Sequence, residues 1–353
     1  MGDADPQLDQ ARAVAAAWPW PAPRIERLTG GLINHTFRVT LGDDAAPVAV
    51  LQRLHLVFGR AVNLDLDAVT AHLAGHGLVT PRLVRTRDGA VDVLADDGVW
   101  RALNWVDGTV VHAVPDATWA EAAGALVGRA HLALADFDYA YQHVRTGVHD
   151  TAAHLARLEQ ALARPAGEDE PADLDDARRL AHELLRAAAT RPALGALPRR
   201  HCHGDLKISN LMFTVDGGVP TGRCLLDLDT FAHGTLAFEL GDALRSWCNP
   251  RGEDLAGPRF ELPLFIAAMR GYLGVAGAAT TPAEREAVVT GLETVCLELA
   301  ARFCVDVFDD RYFGWDPARF PSRRAHNLVR ARGQLALATS VRAQRAAALD
   351  AVR

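Results

Sequence analysis

Two short stretches concentrate polar side chains that their own folding does not need. His203-Gly204-Asp205-Leu206-Lys207-Ile208-Ser209-Asn210 precedes an apolar run, and Leu225-Leu226-Asp227-Leu228-Asp229 closes the next one. Between them, Leu211 to Val215, the turn Asp216-Gly217-Gly218 and Cys224 to Leu228 read as a β-hairpin. A hairpin returns its second strand beside its first, so Asp227 is expected near Asn210 and Asp205. Two carboxylates and an amide then share one end of a two-strand platform. Phosphoryl transfer requires such a set. One carboxylate positions the attacking hydroxyl and accepts its proton, while an amide and a second carboxylate hold the Mg²⁺ that bridges nucleotide phosphates.

Singly, Asp205 and Asn210 are ordinary turn-capping residues. Their spacing argues otherwise, because a phosphoryl-transfer loop of the H-R-D-x-x-x-x-N type places its Asn five residues after its Asp. Asp205 to Asn210 is also five. Asp227 falls where the second metal-binding carboxylate belongs, behind apolar Leu225 and Leu226. Lys207 is the only lysine in the chain. It reads equally well as a cation that neutralises the transferring phosphoryl group and as a solvated loop residue.

The elements around these stretches divide the chain in two. From about Ile25 to Asp107 strands alternate with turns: Thr29-Gly30-Gly31 leads into Ile33 to Thr40, followed by Val48 to Leu54 and Val99 to Trp105. One helix is inserted, over Leu64 to His76. After Gly108 the period becomes helical. Thr118-x-x-Glu121 and Thr281-Pro282-x-Glu284 both read as capping boxes. The polar stretch Arg164 to Pro171 is a surface connection between two helical patterns. The expected fold is α+β and bilobal. Residues 1–105 form a small antiparallel lobe, a hinge lies near Asn104 to Gly108, and residues 106–353 form a mostly helical lobe carrying the hairpin. The cleft between lobes is the expected ligand site.

With these residues in view, the chain resembles the aminoglycoside and choline phosphotransferase superfamily, which has a protein-kinase-like fold. The phrases H-G-D-L-K-I-S-N and L-L-D-L-D-T-F carry that resemblance. Others are similar to the N-acetylhexosamine 1-kinase branch: G-L-I-N-H-T-F (Gly31 to Phe37), V-L-Q-R-L (Val50 to Leu54), F-E-L-G-D-A-L-R (Phe238 to Arg245), R-F at Arg302, R-Y-F (Arg311 to Phe313) and H-N-L (His326 to Leu328). The resemblance implies ATP and Mg²⁺ as cofactors, Asp205 as catalytic base, and Asn210 and Asp227 as metal ligands supported by Asp229. It also implies that His203 orients the catalytic loop, that Gly30, Gly31 and Asn34 lie over the phosphates, and that Asn104, Trp105 and Val106 meet adenine through their backbone. Arg302 and Tyr312 become candidates for an acceptor pocket whose substrate is an N-acetylhexosamine, with an aminoglycoside, a choline-like alcohol or homoserine as alternatives. Glu239 and Asp242 match acidic positions after the metal loop, with a structural role expected for both.

One part of the pattern is missing. A typical kinase grips phosphate with a small-lobe strand lysine, and here Val48 to Leu54 offers only Gln52 or Arg53. Neighbours on a strand face opposite sides, so one of the two enters the cleft. Arg53 is favoured by its charge and planar fork, and Gln52 stays open.

This departure feeds a rival reading, a nucleotide-binding regulator without catalysis, against which the intact Asp205, Asn210 and Asp227 argue. His201-Cys202-His203 has a zinc-hydrolase spacing, but the strand and helix alternation of a parallel barrel is lacking.

At 353 residues, with 49% hydrophobic and 23% charged, the chain has enough apolar content for a sizeable core and needs no disulfide scaffold. Five scattered cysteines suggest neither a bridge framework nor a zinc site. A net charge of -7 argues against nucleic acid as a partner. No apolar run near 20 residues is apparent and the N-terminus is acidic, so a cytoplasmic protein acting on nucleotide and a small molecule is expected.

Overall fold

The computed structural model describes residues 5–28, 34–42, 45–144, 146–165, 171–252, 254 and 257–353. The small lobe is a five-stranded antiparallel sheet of β1 (Pro23–Arg27), β2 (His35–Leu41), β3 (Pro47–Arg53), β4 (Val93–Ala95) and β5 (Gly98–Asn104), in the order β1-β2-β3-β5-β4. The strand period of two fixes its faces. Ile25, Phe37, Val39, Ala49, Leu51, Trp100 and Ala102 are all buried on one side, against Ala11 of α1 (Pro6–Val14) and Ala15 and Trp18 beyond it. The other side carries Thr36, Gln52 and Arg101, paired across the strands. It faces α2 (Val62–Gly75), the inserted helix expected over Leu64 to His76.

The large lobe begins with β6 (Thr109–Val110) and α3 (Ala117–Ala133). It continues through α4 (Thr151–Leu162), α5 (Ala172–Ala189), β7 (Arg200–Cys202), β8 (Leu211–Asp216), β9 (Val219–Leu225), β10 (Ala232–Gly234) and α6 (Leu236–Trp247). Four helices complete it: α7 (Leu262–Ala276), α8 (Pro282–Asp309), α9 (Arg323–Ala343) and α10 (Arg345–Asp350). The predicted hairpin is β8–β9. Its second strand starts at Val219 rather than Cys224, because Gly217 and Gly218 take φ values of 55° and 84° and turn the chain in two residues. Thr281 and Glu284 form the expected capping box of α8. At α3 the cap is Asp116, not Thr118: its carboxylate accepts from the Thr118 and Trp119 amides, two residues ahead of the expected start. Within the connection from Arg164 to Pro171, residues 166–170 lie outside the described residues.

Glycines set how closely the helices cross. A Cβ on Gly124 of α3 would lie 1.9 Å from the Ala268 carbonyl oxygen of α7, and one on Gly291 of α8 would lie 1.8 Å from that of Ala237 in α6. Gly124→Ala is therefore expected to destabilise the protein by about 3 kcal/mol through overpacking. Gly274 of α7 has nothing within 4 Å of its would-be Cβ, so Gly274→Ala is expected to be neutral or stabilising by up to about 1 kcal/mol. Thermal or urea unfolding of the two variants, side by side, checks both.

The segment Leu262–Ala279 is, by length and composition, apolar enough to cross a membrane, which corrects the expectation that no run approaches that length. Its apolarity has a place in the fold: Phe265, Ala268, Met269 and Tyr272 are buried in the large-lobe core and Gly271 lies against α3. All five cysteines are buried and free of disulfides.

Candidate active site

The loop after β7 is held from behind. Glu239, on the first turn of α6, accepts the His203 amide at 2.7 Å with one carboxylate oxygen and the Gly204 amide at 2.9 Å with the other. Burial pushes this carboxyl up, but the His131 imidazole, His203 and the Gly204 amide outweigh it and leave the group below its ordinary value. Gly204 has φ +79°, and a Cβ there would meet the Thr230 carbonyl oxygen at 2.8 Å, so only glycine fits. The His203 ring is buried. Its Nε2 donates to the Leu226 carbonyl at 2.8 Å and its Nδ1 accepts the Asp205 amide at 3.3 Å, which joins the loop to the end of the hairpin.

Asp205 and Asp227 face one ammonium, and Asn210 joins them through Asp205. Lys207 Nζ donates to Asp205 Oδ2 at 2.6 Å and lies 3.9 Å from Asp227 Oδ2. Asn210, on a single 3₁₀ turn (Ile208–Asn210), donates through Nδ2 to the Asp205 carbonyl at 2.8 Å and to its Oδ2 at 3.1 Å. That leaves Asn210 Oδ1 without a described partner. Leu226 N donates to the Asn210 carbonyl at 2.8 Å, so the loop and the strand end are stitched side by side. Asp227 is left-handed, φ 57° and ψ 56°, a conformation that Asp tolerates better than most residues and that is concentrated at functional sites.

The electrostatics of this corner call for a cation. Burial, then Asp229, raise the Asp227 carboxyl above its ordinary value. Asp205 adds to the rise, and Lys207 opposes it. For Lys207, burial pulls downward, but Asp205 and Asp227 outweigh it and the ammonium ends above its ordinary value. The Asn210 amide oxygen, without a partner among the described residues, and the partly exposed Asp227 carboxylate are hard oxygen donors, the kind that Mg²⁺ takes.

The remaining predicted residues are placed as follows. Asp229 is fully buried, with both oxygens engaged by the Arg101 guanidinium and one also by Asn34 Nδ2 at 2.9 Å. Asn34 Oδ1 accepts the His55 amide at 2.9 Å, so its amide group ties the small lobe to Asp229. Gly30 and Gly31 lie outside the described residues. The choice between Gln52 and Arg53 goes against the favoured one. Gln52 stands opposite Arg101 on the face turned to the large lobe, whereas Arg53 stands opposite Trp100 on the other face and pairs with Asp97 at 3.2 Å. In the hinge, Asn104 N donates to the Arg82 carbonyl and Trp105 N to the Val48 carbonyl, while the Val106 amide meets no described acceptor.

Arg302 and Tyr312 come together, but apart from Asp205. They line a cavity of about 430 Å³ with Arg157, Asp309 and Phe313, and the Arg302 guanidinium lies 5.6 Å from the Phe313 ring centre. Asp306 builds that wall, accepting the amides of Arg311, Tyr312 and Phe313 and the side-chain amide of Asn327. A second cavity, of about 570 Å³, shares Thr146, Gly147 and Val148 with the first and reaches Gly204, Asp229 and Glu239. His149 and Phe238, stacked at 4.8 Å, line it; Phe238 opens the F-E-L-G-D-A-L-R phrase, whereas His149 carried no signal in the sequence. Arg101 was also missed, although an arginine in the apolar strand Val99 to Trp105 needs a buried partner. His72, His76 and Asp136 also lie within ligand reach of one another, but His72 Nε2 donates to the Ala133 carbonyl at 2.7 Å and so carries a proton where a metal would bind.

The profile of the phosphotransferase enzyme family matches residues 24–276, from the first strand to the end of α7. The chain belongs to the phosphotransferase enzyme family. Solved structures agree on the fold. A complex of the amicoumacin kinase hAmiN with AMP-PNP, Ca²⁺ and Ami superposes with a TM-score of 0.64 at 14% identity, covering 94% of this chain and 93% of that one. A choline/ethanolamine kinase family protein from Mesorhizobium loti gives 0.57 at 21% identity over 98% of both chains. An aminoglycoside phosphotransferase from Alicyclobacillus acidocaldarius gives 0.61 at 18% identity over 95% and 96%. The phosphotransferase thus has the bilobal α+β, protein-kinase-like architecture, and its reaction moves a phosphoryl group to a hydroxyl acceptor.

Proposed function

We propose that this phosphotransferase transfers the γ-phosphoryl of ATP, with Mg²⁺, to the anomeric hydroxyl of an N-acetylhexosamine, yielding the sugar 1-phosphate. The observation that carries the reaction is that Lys207 faces both Asp205 and Asp227 while Asn210 is hydrogen-bonded to Asp205. Asn210 Oδ1 and the Asp227 carboxylate would hold Mg²⁺, which would offset the charge that develops on the transferring phosphoryl group. Asp205 aligns the acceptor hydroxyl with phosphorus and takes its proton at the carboxylate. Lys207 stands between Asp205 and Asp227, screens their repulsion and presents a positive charge towards the phosphoryl group. His203 and Glu239 hold the loop that carries Asp205.

In this reading, residues 1–105 bind nucleotide, with the Val106 amide as the adenine contact at the hinge. Residues 106–353 carry the catalytic loop, the metal hairpin and the acceptor site. The sugar acceptor rests on the sequence resemblance, whose R-Y-F and H-N-L phrases Asp306 draws together beside Arg302.

The test is ADP release from ATP and Mg²⁺ with a panel of N-acetylhexosamines, aminoglycosides, choline, ethanolamine and homoserine. Release that requires an N-acetylhexosamine and consumes its reducing end is expected. Release with another alcohol alone would move the acceptor assignment, and none with any alcohol would favour a nucleotide-binding regulator.

A further inference from the structure

A kinase small lobe typically places a strand lysine against a helix glutamate, and this pair sets the nucleotide site. Here the strand position facing the cleft is Gln52 and the helix residue nearest it in the network is Asn63, both uncharged. We propose that Arg101, from the neighbouring strand, is a positioning residue that replaces that pair: it docks the small lobe onto Asp229 and thereby fixes Asp227 at the cleft. The inference rests on the functional reading above.

The guanidinium is fully occupied. Its Nε and one Nη donate to Gln52 Oε1 at 3.0 and 2.8 Å, a third N–H reaches Asn63 Oδ1 at 3.3 Å, and two more bind the two oxygens of Asp229. All five donors of the fork are accounted for, so none is left for a phosphate oxygen. Arg101 is 1% exposed and the Asp229 side chain 0%, so each charge is stranded without the other. The network spans the lobes. Gln52 belongs to β3, Arg101 to β5 and Asn63 to α2, while Asn34, just before β2, adds its own hydrogen bond to Asp229.

Asp229 lies two residues beyond Asp227, inside a one-turn 3₁₀ helix (Leu228–Thr230) that starts at the left-handed Asp227. On its other side Asp227 follows Leu226, whose amide donates to the Asn210 carbonyl at 2.8 Å, and Leu225, paired with Leu211. Thr230 Oγ1 donates to the His203 carbonyl at 2.6 Å. The Asp227 backbone is thus pinned between the hairpin and the Arg101 anchor, and releasing the anchor frees the carboxylate to shift. A misplacement of about 1 Å in a reacting constellation costs about 10²-fold. A lysine could supply the charge but not the five-donor fork.

The experiment uses the full chain and the fluorescent nucleotide MANT-ATP, titrated with and without Mg²⁺. The double variant Arg101→Met, Asp229→Leu removes both buried charges together, which folds tolerate better than removing one. Arg101→Lys keeps the charge without the fork. The expected result is that both variants unfold cooperatively on heating, yet their affinity in Mg²⁺ falls at least tenfold, less for Arg101→Lys, while affinity without Mg²⁺ stays within about twofold. A folded variant with the wild-type Mg²⁺ response overturns the proposal, and so does failure of both variants to fold, which would make the pair structural. Wild-type protein with no Mg²⁺-dependent binding would instead sink the active-site reading itself.

Discussion

Replacing Asp205 by asparagine should cut ADP release by about 10²–10⁴-fold, the range a general base contributes, while nucleotide still binds. The substitution is nearly isosteric and keeps an oxygen for the Asn210 amide, so the loop loses no acceptor. It removes the charge that faces Lys207 and the atom that takes the hydroxyl proton. The Asp205 side chain is 27% exposed and its pair with Lys207 is partly solvated, so thermal unfolding should move little. A steady-state assay with the best acceptor of the panel, together with MANT-ATP binding, separates these effects. Turnover preserved in this variant would remove Asp205 from the mechanism.

Asp227→Ala is expected to act on a different step. It deletes a carboxylate oxygen from the proposed Mg²⁺ pair and leaves Asn210 alone, so Mg²⁺-dependent nucleotide affinity should vanish and turnover should drop by about 10³-fold or more, several kcal/mol of charge stabilisation at 1.36 kcal/mol per decade. Stability should respond far less than turnover. The Asp227 carboxyl is raised by burial and by Asp229, so its ionised form is disfavoured in the metal-free fold at every pH above its unfolded value. Removing it relieves that penalty. The metal-free variant should melt near the wild-type temperature at pH 7, because the relieved penalty is set against the strain of alanine in the left-handed backbone of this position, and Mg²⁺ with nucleotide should raise the melting temperature of the wild type only. A variant that melts well below wild type without metal would show that Asp227 is a structural carboxylate.

Local signals were legible in the sequence, and signals that depend on distant partners were not. The hairpin, its Gly217-Gly218 turn and the five-residue step from Asp205 to Asn210 each lie within a few residues, and the β8–β9 pairing brings Asp227 back as periodicity requires. The α8 capping box is equally local. At α3, Asp116 took the cap because its carboxylate accepts the amides of both Thr118 and Trp119, including the one that Glu121 would have accepted in the expected capping box. The Gln52 and Arg53 register could not be read from β3 alone, since Leu51 and Leu54 flank both. It follows from pairing with β5, where Gln52 meets Arg101 and Arg53 meets Trp100.

Asp229 shows the same limit. It shares a phrase with Asp227, but its partner Arg101 is 128 residues away, and that partner turns a candidate metal support into an interlobe anchor. The cavities draw on Thr146 to Val148, Arg302 and Tyr312, whose meeting no short-range pattern announces.

The most direct test of the central claim is a crystal structure with Mn²⁺ in place of Mg²⁺ and AMP-PNP, with the metal located by its anomalous scattering. The expected result is a metal peak about 2.1 Å from both Asn210 Oδ1 and an Asp227 carboxylate oxygen, bridging phosphates on the side where Asp205 Oδ2 faces Lys207. A metal bound elsewhere, such as beside His72, His76 and Asp136, with Asn210 and Asp227 making no contact to metal or phosphate, would contradict it.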